Sequence, residues 1–475
     1  MKPRLRLFLI SSVLFVSETA LADPAQNSAL TKLLAAPSLK TATIGFAAFP
    51  IKEASPSGED EEPTSATTPT EILYNPDAAL TPASVQKVIT TATALETLGP
   101  DYRFQTKLYQ KGDDIIIRGG GDPLLASSSL NVEFSAWEQA LRQQGLTEIT
   151  GTLIADPSRF ESKVTPNQWL WGDIGNYYGA GISGLNFHNN SYRITFSPGR
   201  IGAPASLYAT YPKPPGVTFE NLMRTGSSGS GDQGYAYCGP RRKLVTLRGT
   251  IPAGGRFTIK GALPDPPLMC LHAFQDYLTE KEFKVAKLAV ESPDLNELEP
   301  FHITESPTLE KIIASTNLRS INLQAECLFK ALTPEGTTTD AQKIIQQHWS
   351  AKGINLAGQK LHDGSGLSPQ NLVTARQLAL LLKEMSSSPN AKIFRDSLPV
   401  AGRNGTLRSF GRGTRAQDRV RAKSGSMEGV RAYAGYYKDR KENEWAFCLL
   451  LNHYNGSDGS ARAAAASFLA NLCSS

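Results

Sequence analysis

The sequence predicts an α/β protein whose main domain is split by a long β-rich insertion, and three stretches carry that expectation. Near the start, two strand-like runs lead into a helix. From Arg103 to about Asp265 the texture changes to short β-like runs such as T-K-L-Y and D-I-I-I-R among Gly and Pro turns. Toward the end, helices return, followed by two adjacent strands and a closing helix. A chain of 475 residues exceeds one ordinary core, so two or three units are expected.

In order, T-I-G-F-A-A-F-P-I at 43–51 reads as a strand and E-I-L-Y-N from Glu71 as its partner. The polar, acidic segment 54–69 between them reads as a long hairpin loop. After Pro82, apolar residues recur at three and four spacing until Gly99-Pro100 ends the helix. Further helices are predicted over 308–315, 321–332 and 338–349. V-R-A-Y-A-G-Y-Y and W-A-F-C-L-L-L-N read as neighbouring strands before a closing Ala-rich helix.

The first 22 residues have the composition of a secretory leader. Lys2, Arg4 and Arg6 precede a mostly apolar run from Leu7 to Val16, and Ala20-Leu21-Ala22 fits a small-residue cleavage site. Export into a periplasm or cell-wall space is therefore expected. Removing the leader leaves 46 basic against 43 acidic residues, a net charge of +3, too small to suggest a nucleic-acid partner. Five cysteines remain. Cys238 and Cys270 lie in loop-like, Gly/Pro-containing sequence and are the expected disulfide pair in an oxidising compartment. Cys327 and Cys448 sit in apolar patterns and read as buried thiols. The six histidines show no HExxH spacing, so neither a catalytic metal nor another cofactor is expected.

Two elements suggest nucleophilic chemistry. Ser84 and Lys87 are three apart on a helix, so the lysine amine can reach the serine hydroxyl and act as its base. Alone, the pair also fits an ordinary helix start. Lys423-Ser424-Gly425 heads one probable strand, A-K-S-G-S-M-E-G-V-R-A-Y-A-G-Y, where a lysine beside a hydroxyl suits a carboxylate and a glycine admits a close backbone. Between them, S-T-N-L-R-S-I-N-L-Q-A-E at 315–326 offers two serine-asparagine pairs, Ser315 with Asn317 and Ser320 with Asn322. Spacing alone does not separate them.

These three elements in this order resemble the signature of penicillin-binding proteins and serine β-lactamases. The chain is similar, over nearly all its length after the leader, to D-alanyl-D-alanine carboxypeptidases of the penicillin-binding protein 4 type. The matching segments are P-A-S-V-Q-K at 82–87, G-G-G-D-P at 119–123, W-L-W-G-D at 169–173 with Tyr177 and Gly184-Leu185, D-G-S-G-L-S at 363–368, and N-G-T-L at 404–407. Within this resemblance S-I-N-L-Q-A-E aligns with the family's S-x-N-L-x-A-E, which selects Ser320 and Asn322. Local pattern agrees, since Ser320 falls where one predicted helix breaks and the next begins.

The resemblance implies a penicillin-recognising, serine transpeptidase-like domain, an antiparallel sheet flanked by helices, formed by residues 23–102 and 306–475. The insertion would span 103–305 with a smaller nested domain at about 190–262. It implies that Ser84 attacks the penultimate D-alanine carbonyl of a peptidoglycan stem peptide, with Lys87 taking its proton. The backbone N–H groups of Ser84 and Ser426 would hold the oxyanion, Ser320 would relay a proton to the leaving amine, and Asn322 would orient the substrate amide. Lys423 and Ser424, beside Gly425, would bind the terminal carboxylate. Asp173 would meet the ammonium of the stem-peptide side chain. β-Lactams are implied as covalent inhibitors, and a homodimer is compatible with the resemblance.

Several residues depart from the family pattern. Ser424 stands where threonine is commoner, Ile321 where aspartate is frequent, Pro369 where arginine often follows G-S-G-L-S, and Glu428 where glutamine can occur. The first two keep the chemistry; the last two bear on side-chain recognition. Asp363 reads as a brace for its turn. A serine β-lactamase would need a group to activate the deacylating water, and E-S-P-D-L-N at 291–296 precedes the serine-asparagine motif with the wrong spacing. A non-catalytic penicilloyl sensor or wall-binding scaffold would not need Ser84, Lys87, Ser320, Asn322 and Lys423 together.

Overall fold

The computed structural model describes residues 24–51, 71–127 and 130–475. The leader at 1–22 and the acidic segment at 54–69 lie outside them. The two ends of the chain build one five-stranded antiparallel sheet, ordered Val420–Met427, Val430–Lys438, Glu444–Asn452, Thr43–Pro50 and Ile72–Tyr74.

The strand Thr43–Pro50 is apolar almost throughout because helices cover both of its faces. Its alternating side chains go to two cores. Ile44, Phe46 and Ala48 join the helices Pro24–Leu34 and Asp458–Leu472, with the Phe46 and Phe468 rings edge to face at 4.9 Å. Ala47 and Phe49 face a larger core containing Val88 of the helix Lys87–Leu98 and Leu378 of the helix Ala375–Ser386. Each phenylalanine removed from water this way contributes about 2 kcal/mol.

Between Gln105 and Glu305 the chain forms a second, mixed five-stranded sheet, ordered Lys284–Val290, Glu148–Asp156, Asp114–Arg118, Gln105–Lys111 and His302–Glu305. Two smaller sheets lie within the same stretch, one containing Ser191–Ser197, Ser206–Tyr211 and Phe257–Ala262, the other centred on Leu244–Pro252. Two long helices also occur here, Leu130–Gln143 and Pro266–Glu280. Their rings interlock, Trp137 against Phe274 at 5.2 Å.

Two expectations are corrected. Cys238 and Cys270 are not paired: both are free and buried, as are Cys327, Cys448 and Cys473. Cys270 lies inside the helix Pro266–Glu280, packed with Leu271 and Phe274 in an apolar core, rather than in a loop. The Cys238 thiol donates to the Gly239 carbonyl at 3.3 Å. The run around Lys423 is not one strand but a tight hairpin. Met427 pairs with Val430 across Glu428-Gly429, and Gly429 takes the positive φ of 67° that such a turn needs.

Candidate active site

Ser84 sits in a 3-10 turn, Ala83–Gln86, that runs directly into the helix Lys87–Leu98. Its first-turn position leaves its N–H without an intrahelical acceptor. Ala83 adopts a positive φ of 46°, and Gly366 lies so close that a Cβ there would come within 2.0 Å of the Ala83 carbonyl. The serine is thus presented from a constrained turn, half exposed, while Lys87 behind it is wholly buried.

The Lys87 amine makes three contacts: Ser84 Oγ at 3.1 Å, Asn322 Oδ1 at 2.6 Å and the Ser365 carbonyl at 2.7 Å. The last two are pure acceptors, so a neutral amine gives each one hydrogen and turns its lone pair toward Ser84 Oγ. Burial supplies the neutral form. It lowers the Lys87 pKa to about 7, against the opposing pull of Asp363 and Glu326.

Ser320 ends the helix Leu309–Arg319 in a left-handed conformation, φ 59°, just before the helix Asn322–Ala331 begins. That break directs its hydroxyl to Lys423, whose Nζ donates to Ser320 Oγ at 2.8 Å and to the Ser424 carbonyl at 2.6 Å. Lys423 is wholly buried; burial and then Lys87 hold its pKa well below the ordinary lysine value. Ser315 is instead inside its helix, with its hydroxyl committed to the Ile312 carbonyl and to Gln324 Oε1. Asn317 is also buried and bonds Thr91 and Ser397 rather than the cleft.

Asn322 bridges the two halves of the site. Its Oδ1 accepts from Lys87, and its amide nitrogen donates to the Tyr178 carbonyl at 2.8 Å. Tyr178 belongs to the inserted stretch and hydrogen-bonds Asp173, which is half-buried with its pKa raised by burial. Ser424 Oγ meets Thr406 Oγ1 at 2.7 Å.

The strand Val420–Met427 is the sheet edge. Its free side is used by Pro399–Ala401 only as far as Ala422, whose N–H donates to the Pro399 carbonyl, while Ala401 N–H donates to the Val420 carbonyl. The two-residue alternation therefore turns the Ser424 and Ser426 backbone amides to the same open side. Gly425 lies between them, and a Cβ there would stand 2.7 Å from the Pro82 carbonyl and 3.0 Å from the Ser84 nitrogen. Only a glycine lets the edge strand lie this close to the Ser84 turn.

Two supporting residues have no role in the sequence reading. Glu326 is buried and accepts from the Gly364 and Ser365 N–H groups at 2.8–3.1 Å; burial, and then Asp363, raise its pKa to about 7. Its signal was its position four residues after Asn322, on the same helix face. Trp169 Nε1 donates to Asp363 Oδ2 at 2.8 Å. Asp363 also accepts from Gly366 N–H, Ser368 N–H and the Asn371 amide, so it braces the turn whose Ser365 carbonyl holds Lys87. Pro369 accepts from Thr81 through its carbonyl at 3.1 Å, and Glu428 is exposed at the hairpin tip.

The chain is 31% identical over 422 residues to a D-alanyl-D-alanine carboxypeptidase of Actinomadura sp. strain R39, covering 81% of this chain and 76% of that protein. It is 26% identical over 426 residues to the D-alanyl-D-alanine carboxypeptidase DacB of Haemophilus influenzae, covering 81% and 83%. The crystal structure of penicillin binding protein 4 from Haemophilus influenzae has the same fold, with a TM-score of 0.77 at 21% identity over 94% of this chain and 98% of that one. The profile of the D-Ala-D-Ala carboxypeptidase 3 (S13) family matches residues 26–472, and the chain belongs to that family.

Proposed function

We propose that Ser84 is the nucleophile of a serine DD-peptidase acting on the D-alanyl-D-alanine ends of peptidoglycan stem peptides. The observation that carries this is the Lys87 amine, whose two acceptors leave its lone pair for Ser84. As Ser84 Oγ attacks the penultimate carbonyl, its proton passes to Lys87, a transfer that contributes about 10²–10⁴-fold. The oxyanion forms between the N–H groups of Ser84 and Ser426, each donor lowering the barrier by about 3 kcal/mol.

The substrate backbone pairs along the open side of Val420–Met427 as an added strand. Its terminal carboxylate lies at Ser424, within the field of Lys423. Ser320, which accepts from Lys423, passes its own hydroxyl hydrogen to the leaving nitrogen and takes in exchange the proton that Lys87 removed from Ser84, so the amine departs protonated and Ser320 is restored. Asn322 holds Lys87 in place and meets the substrate amide by exchanging its bond to Tyr178. Water then hydrolyses the ester on Ser84. A free D-alanine leaving group makes the reaction a carboxypeptidase step; a cross-linked D-centre makes it an endopeptidase step.

Asp173, which hydrogen-bonds Tyr178, takes the ammonium of the stem-peptide side chain. A β-lactam acylates Ser84 by the same attack, consistent with a homologous structure, that of Haemophilus influenzae penicillin binding protein 4, having been determined with a β-lactam. The leader-like first 22 residues and the location of peptidoglycan support action in the periplasm or cell-wall space. Among the described residues no helix is long and apolar enough to cross a membrane.

The test uses the mature protein and its Ser84→Ala variant, first with a fluorescent penicillin and then with purified cross-linked peptidoglycan. Stable labelling with release of D-alanine or cleavage of dimers, both lost in the variant, is the expected result. Labelling without either product sinks the peptidase reading, and rapid loss of label points to a lactamase.

A further inference from the structure

The inserted stretch carries an aromatic patch beside the cleft. Trp171 is 61% exposed, Tyr177 52% and Tyr235 43%. Large rings left in water on a folded surface mark contact sites when they are grouped. Here the backbone beneath them is rigidly joined. The short helix Trp171–Ile174 packs on the strand Gln233–Tyr237, and Gly175 approaches so closely that a Cβ would come within 2.0 Å of the Ala236 carbonyl. Ala236 N–H donates to Asn176 Oδ1 at 3.1 Å, and Asn176 pairs with Gly261 as a β-bridge. Lys260 holds its ammonium 5.8 Å from the Tyr177 ring centre.

The segment bearing Tyr177 packs both on the helix Trp171–Ile174 and on the helix Asn322–Ala331. Tyr178, next to Tyr177, gives its carbonyl to Asn322, which holds Lys87, which touches Ser84. A stem peptide processed at Ser84 is covalently attached at its other end to a glycan strand. At about 3.3 Å per extended residue, a stem of a few residues keeps the sugar within roughly 15 Å of the scissile bond. Sugar rings present an apolar C–H face that stacks on an aromatic plane and hydroxyl and amide edges that hydrogen-bond to phenol and ammonium groups. We propose that Trp171, Tyr177 and Tyr235 form a docking platform for the sugar rings of the glycan strand that carries the stem peptide, so that the enzyme prefers polymer-linked to free peptide.

This rests on the DD-peptidase reading, and the test separates the two. D-Alanine release is measured as kcat/KM on a free stem pentapeptide and on the same peptide attached to soluble glycan strands. The wild type, Trp171→Ala, Tyr235→Ala and Trp171→Phe are compared, and binding of peptide-stripped glycan strands is followed by calorimetry. The wild type should favour the linked substrate by about threefold to tenfold. Both alanine variants should lose that advantage and the glycan binding while keeping free-peptide turnover and penicillin acylation; Trp171→Phe should retain most of both.

Equal losses on the two substrates, or no preference in the wild type, overturn the proposal. So does a patch that proves to serve phosphatidylglycerol vesicles or self-association while stripped glycan does not bind. Should neither substrate release D-alanine, the DD-peptidase reading fails, and stripped-glycan binding still decides the platform.

Discussion

Lys423 Nζ donates to Ser320 Oγ across 2.8 Å, joining the edge strand of the main sheet to the break between two helices. Because Lys423 is wholly buried, its amine depends on the acceptors within reach, that hydroxyl and the Ser424 carbonyl. Ser320→Ala removes both the acceptor and the proposed proton relay. Penicillin acylation of this variant should slow by about 10²-fold or more, whereas Ser315→Ala, at a hydroxyl committed to Gln324, should acylate at the wild-type rate. Comparable losses in the two variants would contradict the choice of Ser320.

The pH dependence follows from Lys87. Its neutral form is the proposed base, and burial lowers its pKa to about 7. Acylation should therefore rise with pH and reach half its plateau near pH 7. Glu326 opposes the effect of burial by favouring the protonated amine. Glu326→Gln should shift the midpoint of the stopped-flow acylation profile to lower pH; a shift upward would show that Glu326 does not act on Lys87 through its charge.

Gly425 sets the gap between the edge strand and the Ser84 turn. A Cβ at 2.7 Å from the Pro82 carbonyl and 3.0 Å from the Ser84 nitrogen meets backbone, which cannot rotate away. Gly425→Ala should lower kcat/KM by about 10²-fold, the usual consequence of displacing a reactive group by an ångström. Thermal unfolding should change little, because the strand lies at a sheet edge. Wild-type acylation by this variant would disprove the packing argument.

Asp363 is the buried hub of the turn that carries Ser365. Asp363→Ala strands the Trp169, Gly366, Ser368 and Asn371 donors and should cost about 3–5 kcal/mol in urea unfolding. Trp169→Phe removes a single donor and should cost about 1 kcal/mol while leaving acylation nearly intact. A loss of activity without loss of stability in Asp363→Ala would give this residue a chemical rather than a bracing part.

How far the site could be read depended on the range of the contacts. Ser84 and Lys87 were legible because a three-residue helical spacing predicts their contact. Ser320 was separable from Ser315 once the helix break was located. The Tyr178 carbonyl on Asn322 and the Trp169 indole on Asp363 were not legible, since each joins residues more than a hundred positions apart. The helices Leu130–Gln143 and Pro266–Glu280 were hidden by the Gly- and Pro-rich strands around them. The disulfide expectation failed because composition placed Cys270 in a loop, whereas a Pro-started helix capped by Asp265 carries it into a core.

The pairing of Thr43–Pro50 with Glu444–Asn452 also bears on the order of assembly. The first strand of the chain waits for a partner some four hundred residues later, and the edge strand bearing Lys423 joins the sheet only through Val430–Lys438 and that same late partner. Ser84 thus meets the residues proposed to hold the oxyanion and the carboxylate only when the C-terminal strands are in place. Long-range closure of this kind is slow, and a partly made chain holds a serine and a lysine without the groups that would make them reactive. Penicillin labelling would then report completed folding, and an enzyme that cuts the wall stays inert until its whole chain has arrived.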